Sequence, residues 1–288
     1  MDVEYLRAHP DKLPLFIEHQ RIRCTPIGGG DTSVVQRLTL DDGADVFAKF
    51  SENGPPEFLA SERAGLEWLC QADAPVPQVL CGAEELLVTE WIEPGASSEA
   101  GAEELGRKLA RTHKFGANAF GAAWRGYIGA LPMDNDCAES SWPEWFAARR
   151  LAPYLRTSRD RGALDASDAA KVEALVARLD VLSGPPEPIA RLHGDLWPGN
   201  VHWGADGRAW LIDPAAHGGH RETDLATLHL WGGVPRLDRI TAAYEEVWPL
   251  ADGWRDRIPL HQLFLLLVHT ALFGRAYRGQ VMEAVRGR

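Results

Sequence analysis

The stretch His193-Gly194-Asp195-Leu196-Trp197-Pro198-Gly199-Asn200 decides the fold, because it places a carboxylate and an amide five residues apart in a short loop. A second carboxylate, Asp213, follows 18 residues after Asp195, at the end of the predicted strand Trp210-Leu211-Ile212. Phosphoryl transfer uses these groups: one carboxylate accepts the proton of the attacking hydroxyl, while an Asn and another carboxylate hold Mg²⁺ against the phosphates. Polar residues are common in turns, but this combined spacing is uncommon by chance and predicts a phosphoryl-transfer site.

The residues upstream predict a nucleotide site. The triplet Gly28-Gly29-Gly30 precedes a predicted strand at 33–40, and its main-chain N–H groups would approach phosphate oxygens. Such a triplet alone is more often a plain turn, and the P-loop pattern GxxxxGK[ST] is absent. It gains weight from Lys49 on the third predicted strand and Glu62 on the next predicted helix, because a strand Lys held by a helix Glu contacts the nucleotide phosphates in kinases. If either Lys49 or Glu62 lacked the other, we would interpret it as a solvated charge on the protein surface.

Secondary-structure signals divide the chain into two parts. A β-rich segment ends in a predicted strand at 86–91. Glu90, Trp91 and Ile92, at the end of this strand and just after it, are assigned to adenine by position, and Glu93-Pro94-Gly95 is interpreted as a linker. We therefore expect an α+β, two-lobed, protein-kinase-like fold, with a nucleotide-binding lobe at 1–93 and a helical catalytic and acceptor-binding lobe at 94–288. The patterns predict strands at 45–50, 76–80, 86–91, 189–192, 201–203 and 209–212, a turn at 41–43, and helices at 57–71, 102–113, 142–155, 167–182, 239–247 and 260–273.

His217, His220 and Asp224, which follow Asp213 in the sequence, each have more than one interpretation. Asp224 is expected to open a helix, where it either caps the N-terminus or braces the catalytic loop. His217 and His220 suggest a metal, but no third His or Cys lies near them in the sequence, so we interpret them as surface or substrate-side histidines.

Composition excludes several classes. The net charge of −11 argues against nucleic-acid binding and suits a cationic small substrate. The four cysteines form no CxxC pair, and the N-terminal residues lack the pattern of a signal peptide. The longest apolar run, at 258–273, is interrupted by polar groups and reads as a core helix rather than a membrane span. We expect a cytoplasmic protein with no membrane partner, as a monomer or weak dimer.

The longer strings carry a narrower resemblance. HGDLWPGN, IDPAAHGGHRETDLA and LWGG, with LFGRAYRGQV and SWPEWFAARRLAPYLR, resemble the fructosamine kinase (ketosamine-3-kinase) family, which is allied to the aminoglycoside phosphotransferases. The resemblance spans roughly residue 20 to the C-terminus. This chain has Asp31 where many members carry a Cys in the glycine loop, so a redox switch there is not expected. Pro198 stands where the family often has Ser, which leaves the functional groups in place and stiffens the loop.

The resemblance implies roles for particular residues. Asp195 would be the catalytic base, and Asn200 and Asp213 the Mg²⁺ ligands. Lys49 and Glu62 would position ATP. The implied reaction is ATP-dependent phosphorylation of a ketosamine, a fructosamine or ribulosamine, at its sugar 3-hydroxyl, which leads to deglycation. The alternatives are an aminoglycoside or other amino-sugar acceptor, and a nucleotide-binding pseudokinase. The acceptor pocket is expected among Trp197, His217, His220 and Trp231, although either Trp also fits a core position.

Overall fold

The N-terminal part of the chain is a five-stranded antiparallel sheet. A computed structural model describes residues 1–18, 22–27, 33–51, 54–55 and 57–286. The strands follow the order β1-β2-β3-β5-β4, so β3 lies at the centre and pairs with β2 and β5. The predicted turn at 41–43 is confirmed, because Gly43 has a φ of +86° that suits glycine. The strands are β1 (Arg23–Pro26), β2 (Val34–Thr39), β3 (Asp45–Phe50), β4 (Val79–Ala83) and β5 (Leu86–Glu90).

Helices cover both faces of this sheet. The helix predicted at 57–71 is α3 (Phe58–Cys70), which buries Leu59, Leu66 and Leu69 in a cluster shared with Leu87 of β5. On the opposite face lie α1 (Val3–Ala8) and α2 (Leu13–Glu18), which the sequence analysis did not predict. Each has only six residues, too few for a clear helical period. Burial of both faces explains why four consecutive residues of β5, Leu86–Thr89, are buried.

The C-terminal part is mainly helical, as expected, with corrections to the bounds. The helix predicted at 142–155 contains a π-helical turn, Phe146–Leu151, and the helix predicted at 167–182 is divided in two. Three others begin two to six residues earlier than predicted, at Glu99, Leu237 and Trp254. The helices are α4 (Glu99–Phe115), α5 (Trp142–Trp145), α6 (Ala152–Asp160), α7 (Ala166–Val176), α8 (Leu179–Leu182), α9 (Glu222–Thr227), α10 (Leu237–Val247), α11 (Trp254–Phe273) and α12 (Arg278–Val285).

Three small two-stranded sheets interrupt the helices, and two of them frame the loop that carries Asp195. One strand, β8, ends just before that loop and pairs with β11, while β9 begins just after the loop and pairs with β10. The third pair, β6 with β7, was not predicted. Their bounds are β6 (Gly126–Ile128), β7 (Leu131–Met133), β8 (Ala190–Leu192), β9 (Val201–Trp203), β10 (Ala209–Leu211) and β11 (His217–Gly219).

The apolar run at 258–273 forms most of α11, which lies in the core as predicted. Leu263, Phe264, Leu265 and Leu267 are fully buried there. Within the part of the chain that the structure describes, Trp254–Val285 is the stretch with the length and hydropathy to cross a membrane, but 61% of an 18-residue apolar segment within it is buried inside the protein. Burial on that scale is typical of a core helix.

Candidate active site

Lys49 joins two carboxylates at the centre of the site. Its Nζ donates to both carboxylate oxygens of Glu62 and to Oδ1 of Asp213, each at 2.8 Å. Lys49 lies in β3, Glu62 lies in α3, and Asp213 follows the end of β10 by two residues. Three separate segments of the chain therefore meet at one ammonium group. Burial alone would lower the pKa of Lys49, but the two carboxylates more than offset it and raise that pKa above its usual range. Lys49 is therefore charged at neutral pH.

The two carboxylates around Lys49 are not equivalent. Burial raises the pKa of Glu62 to about 7. Burial opposes ionisation of Asp213 as well, but Lys49 holds the pKa of Asp213 below its usual range. The Asp213 side chain is 49% exposed, whereas that of Glu62 is buried. Asp213 is therefore the ionised carboxylate that a cation can reach from the cleft.

Asp195 and Asn200 lie side by side at the two ends of the short loop. The Asn200 side-chain amide donates to the Asp195 main-chain oxygen at 2.8 Å and to Asp195 Oδ2 at 3.1 Å. The Ile212 N–H donates to the Asn200 main-chain oxygen at 3.0 Å, which brings the residue before Asp213 against the loop. Because its amide nitrogen faces Asp195, Asn200 keeps its Oδ1 for another partner. Hard oxygen ligands of this kind, from Asn200 and Asp213, fit Mg²⁺.

The second carboxylate oxygen of Asp195 is free. Oδ1 is buried and has no hydrogen-bond partner among the described residues. Burial, and then the nearby charge of Asp213, raise the pKa of Asp195 to about 7 against the opposing Asn200 hydrogen bond. A carboxylate with a free oxygen and a pKa near neutrality can accept a proton from a hydroxyl placed against it.

Asp224 connects the Asp195 loop to the helical core. It is the third residue of α9 rather than a cap, and its Oδ1 and Oδ2 accept the main-chain N–H groups of Gly194 at 2.9 Å and His193 at 2.7 Å. Of the two interpretations offered by the sequence, the contacts therefore favour bracing of the loop. His113 Nε2 also donates to Asp224, at 3.1 Å, and the Tyr244 hydroxyl donates to His113 Nδ1 at 2.9 Å.

The segment assigned to adenine follows the sheet directly. Glu90 ends β5, and the Trp91 indole N–H donates to a carboxylate oxygen of Glu93 at 2.8 Å. The main-chain oxygen of Ile92 accepts a hydrogen bond from His202 Nε2 at 3.1 Å. The Gly28–Gly30 triplet lies outside the described residues, so its predicted contact with phosphate stays a prediction.

The two tryptophans expected in the acceptor pocket are in contact. Trp197 meets Trp231 edge to face at 5.3 Å between ring centroids. Trp231 has an unusual left-handed backbone, with φ 49° and ψ 43°, and its indole N–H donates to Gln280 Oε1 at 2.8 Å. Its ring also lies 4.4 Å from that of His269. Because Trp231 is 37% exposed, it is not a fully buried core residue.

Of the two interpretations of His217 and His220, surface or substrate-side, the surface interpretation is wrong. His217 lies in β11 and is 2% exposed, and its Nδ1 donates to the Ala215 main-chain oxygen at 2.8 Å. His220 is 5% exposed and packs 4.9 Å from the rings of Trp142 and His261. Burial lowers the pKa of His217 to about 3 and that of His220 well below its usual range, so both are neutral. Neither is a solvated group, because the helical core closes over β11.

A third potential metal ligand does lie near His220, contrary to the sequence argument. His261 comes from α11, 41 positions later, and the ligand atoms of His220, Glu222 and His261 lie within 4.8 Å of one another. The geometry nevertheless does not fit a metal. Arg257 donates to both oxygens of Glu222, at 2.8 and 2.6 Å. The Glu222 N–H donates to His220 Nδ1 at 3.2 Å, so neutral His220 carries its proton on Nε2 and offers no lone pair there.

Comparison with known proteins identifies the family. The family model of the fructosamine kinases matches residues 16–287, nearly the whole chain. This chain belongs to the fructosamine kinase family. It is 34% identical over 260 residues to a "probable ketoamine kinase" of Thermus thermophilus, with 90% of this chain and 92% of that protein covered. It is also similar to the solved structure of a "putative fructosamine-3-kinase" from Thermobifida fusca, at 48% identity and a TM-score of 0.88, with 92% and 93% of the two chains covered.

The wider fold of this fructosamine kinase family member is the kinase-like fold expected from the sequence. An aminoglycoside phosphotransferase, APH(4)-Ia, solved as a complex with AMP-PNP and hygromycin B, matches with a TM-score of 0.64. That match covers 94% of this chain and 96% of the other, at 17% identity, and it shows the shared fold alone. The α+β, two-lobed kinase-like class and the family resemblance are thereby confirmed.

Sequence reasoning missed several residues of the site in this family member. His113 and Tyr244 were not singled out, although they complete the hydrogen-bond chain that starts at Asp224. His202 was not considered, although it binds the segment assigned to adenine. These residues are far from their partners in the sequence, by up to 131 positions for His113 and Tyr244, and they lie in ordinary helical or strand patterns. No local motif could have identified them.

Proposed function

We propose that this kinase transfers the γ-phosphoryl group of ATP to the 3-hydroxyl of a ketosamine sugar. The observation that carries the proposal is the pairing of two features in one site. Lys49 is fixed between Glu62 and Asp213, and beside it Asp195 holds a free carboxylate oxygen with a pKa near 7. The first feature suits the positioning of phosphates, and the second suits the activation of a hydroxyl.

The nucleotide side of the proposal is MgATP. The site supplies one fixed cation in Lys49, and two oxygen ligands for Mg²⁺ in Asn200 Oδ1 and Asp213. The protein would hold Mg²⁺ through these two residues, and the bound ion would neutralise charge on the phosphates. The AMP-PNP complex of the aminoglycoside phosphotransferase of similar fold supports the choice of an adenine nucleotide.

The chemical step requires little of the protein beyond position and one proton acceptor. The acceptor hydroxyl lies against the Asp195 carboxylate, and its oxygen forms the new bond to phosphorus as the bond from phosphorus to the leaving oxygen breaks. Asp195 takes the hydroxyl proton. Asn200 donates to Asp195 Oδ2, which fixes the orientation of the carboxylate. Loop rigidity through Asp224 keeps this alignment, on which in-line transfer depends.

The acceptor side of the proposal is a ketosamine, the adduct of a sugar and an amine. The proteins of the family named above are described as ketoamine or fructosamine kinases, which supports this class. A ketosamine amine is protonated at neutral pH, and the net charge of −11 favours a cation. Trp197 and the partly exposed Trp231 offer aromatic faces next to the Asp195 loop, where a ring can stack on the sugar or contact the ammonium group. Phosphorylation at the 3-hydroxyl would make the adduct unstable and release the amine, a deglycation.

The decisive experiment is a coupled ADP-release assay with a panel of acceptors. The panel contains an N-alkyl fructosamine, an N-alkyl ribulosamine, free fructose and kanamycin. We expect turnover of at least one ketosamine, with free fructose and kanamycin poor acceptors, and NMR of the product locates the phosphate on O3. Turnover of kanamycin alone would make the protein an aminoglycoside kinase. ADP binding without turnover of any acceptor would favour the pseudokinase alternative.

A further inference from the structure

The segment that follows β5 is fastened to the β9–β10 hairpin. Three hydrogen bonds join residues 92–95 to residues 202–205. His202 Nε2 donates to the Ile92 main-chain oxygen at 3.1 Å, the Ala205 N–H donates to the main-chain oxygen of Glu93 at 2.7 Å, and the Gly95 N–H donates to that of Trp203 at 2.7 Å. Three bonds over four residues leave this segment little freedom to shift against the hairpin. We call residues 92–95 the clamped segment.

Glycine is required at the C-terminal end of the clamped segment. A Cβ on Gly95 would lie 2.4 Å from the Gly204 main-chain oxygen and 2.6 Å from Ala205 atoms. Backbone atoms cannot move aside as a flexible side chain can, so a larger residue at position 95 would push the segment away from the hairpin. The close packing and the three hydrogen bonds are independent signs that this contact is built into the fold.

His202 is the only side chain among the three donors of the clamp described above. A carbonyl oxygen only accepts hydrogen bonds, so His202 carries a proton on Nε2. The residue lies in β9, two positions after Asn200, and therefore on the same short strand that begins beside the predicted Mg²⁺ ligand. Its side chain thus links the phosphate end of the site to the segment assigned to adenine.

Ile92 presents two main-chain groups, which belong to neighbouring peptide units. Its carbonyl is occupied by His202, while its N–H has no acceptor among the described residues. An unpaired N–H on a fixed backbone is the group that a ring nitrogen of a purine accepts. On the basis of the proposed ATP-dependent function, we propose that His202 is a positioning residue for the nucleotide: it holds the Ile92 carbonyl so that the Ile92 N–H meets the adenine edge. His202 acts through the backbone and takes no part in the chemical step.

The test separates the base from the phosphates. Binding of Mg·ADP and of Mg·pyrophosphate is measured by calorimetry for the wild type, His202→Leu and His202→Gln. Leu cannot donate to Ile92, so we expect ADP affinity to fall by about three- to tenfold, the range for one hydrogen bond, with pyrophosphate affinity within twofold. Gln keeps an N–H donor and should restore most of the ADP affinity. With saturating ATP, kcat of His202→Leu should stay within twofold of the wild type, since Asp195 is untouched.

Further variants keep the inference falsifiable. Gly95→Ala disturbs the clamped segment from its other end and should also weaken ADP binding more than pyrophosphate binding. His229→Leu, which removes a partly buried histidine remote from the clamp, serves as the matched control and should leave both affinities unchanged. Equal ADP affinity in wild type and His202→Leu, or equal losses for ADP and pyrophosphate, would overturn the role of His202. Failure of the wild type to bind ADP would instead refute the proposed function.

Discussion

Asp195 shows how one side chain is prepared for catalysis at a cost in stability. Its Oδ1 is buried without a partner, and its pKa is raised to about 7, so the folded protein holds the ionised form less favourably than water does. A buried carboxylate oxygen normally has a hydrogen-bond partner. The same arrangement provides a base whose pKa lies close to the working pH, which is where general base catalysis is most effective.

Replacement of Asp195 by Asn should remove the base and keep the shape. We expect kcat to fall by about 10²- to 10⁴-fold, the usual contribution of a positioned base, with the Kd for Mg·ADP within threefold of the wild type. Steady-state kinetics and calorimetry measure the two quantities. Asp180→Asn, at an exposed position, is the control. Wild-type turnover by Asp195→Asn would exclude Asp195 as the base.

The raised pKa of Asp195 also predicts a pH profile. The base must be ionised to work, so kcat/KM should increase with pH and level off above a pKa of about 7. Bound Mg²⁺ favours the ionised form, so the inflection should move to lower pH as Mg²⁺ is increased. The profile is measured between pH 5.5 and 8.5 at two Mg²⁺ concentrations. A rate that is flat over this range would show that no group with this pKa controls the reaction.

Asp213 should act on the metal and not on the proton. Asp213→Ala removes the exposed, ionised carboxylate beside Lys49, so ATP affinity and kcat should both decrease and more Mg²⁺ should be needed for half-maximal rate. Asp213→Asn, which keeps one oxygen ligand, should be affected less. The measurement is a Mg²⁺ titration of the rate at fixed ATP. Superimposable titration curves for the wild type and Asp213→Ala would rule out Asp213 as a ligand.

The short helix α9 fixes the catalytic loop through one residue. The two oxygens of Asp224 accept the N–H groups of His193 and Gly194, and Gly194 can sit there because it tolerates a φ of +82°. A Cβ on Gly194 would lie 2.1 Å from the Ala215 main-chain oxygen, so this approach also requires glycine. α9, the loop and β11 therefore form one rigid unit around Asp195.

Loss of Asp224 should loosen this unit. Asp224→Ala leaves buried N–H groups unpaired, at about 1–3 kcal/mol for each donor, so we expect a clear fall in Tm and in kcat. Asp224→Asn retains an acceptor and should lose less of both. Burial would raise the pKa of Asp224, but His113 holds it below the usual range, so its stabilisation exists above the unfolded pKa of about 3.9 and is lost as pH falls through the lower folded value. In acid, the gap in Tm between wild type and Asp224→Asn should therefore close.

Contacts across the cleft join the sheet to the helical part. Lys49 from the sheet reaches Asp213 beyond β10, and residues 92–95 bind the β9–β10 hairpin. The buried ion pair of Glu222 and Arg257 connects α9 to α11. Burial would raise the pKa of Glu222, but the Arg257 hydrogen bonds outweigh this effect and lower that pKa to about 2. The Glu222 carboxylate of the His220, Glu222 and His261 cluster is thus paired with Arg257 rather than with a metal ion.

Arg257→Met tests that ion pair. It leaves the Glu222 charge buried without its cation, so we expect a loss of about 3–5 kcal/mol in the free energy of unfolding, measured by urea denaturation. Arg255→Met, at an exposed position of the same helix, should change that value by about 0.5 kcal/mol or less. EDTA should leave the Tm of the wild type unchanged. A drop in Tm with EDTA, reversed by Zn²⁺, would show that the cluster holds a metal after all.

The sequence alone determined the family, the kinase-like class and the order of the main elements. Local patterns carry that information: HGDLWPGN and the strand before Asp213 are continuous in the chain, and the alternation around Lys49 and the period of α3 depend on near neighbours. The short helices α1 and α2 were missed because a helix of six residues has no sustained apolar period.

Only the tertiary structure decided which distant groups meet. His217 and His220 are buried by residues from other elements. His261 approaches Glu222, His113 contacts Tyr244 and His202 contacts Ile92, and each of these pairs comes from two different elements. The pKa of about 7 at Asp195 is likewise a property of burial and of the neighbouring Asp213, not of the motif. Charge, desolvation and hydrogen bonding act over a few ångströms in space, and a linear pattern records neighbours along the chain, so these features required the fold.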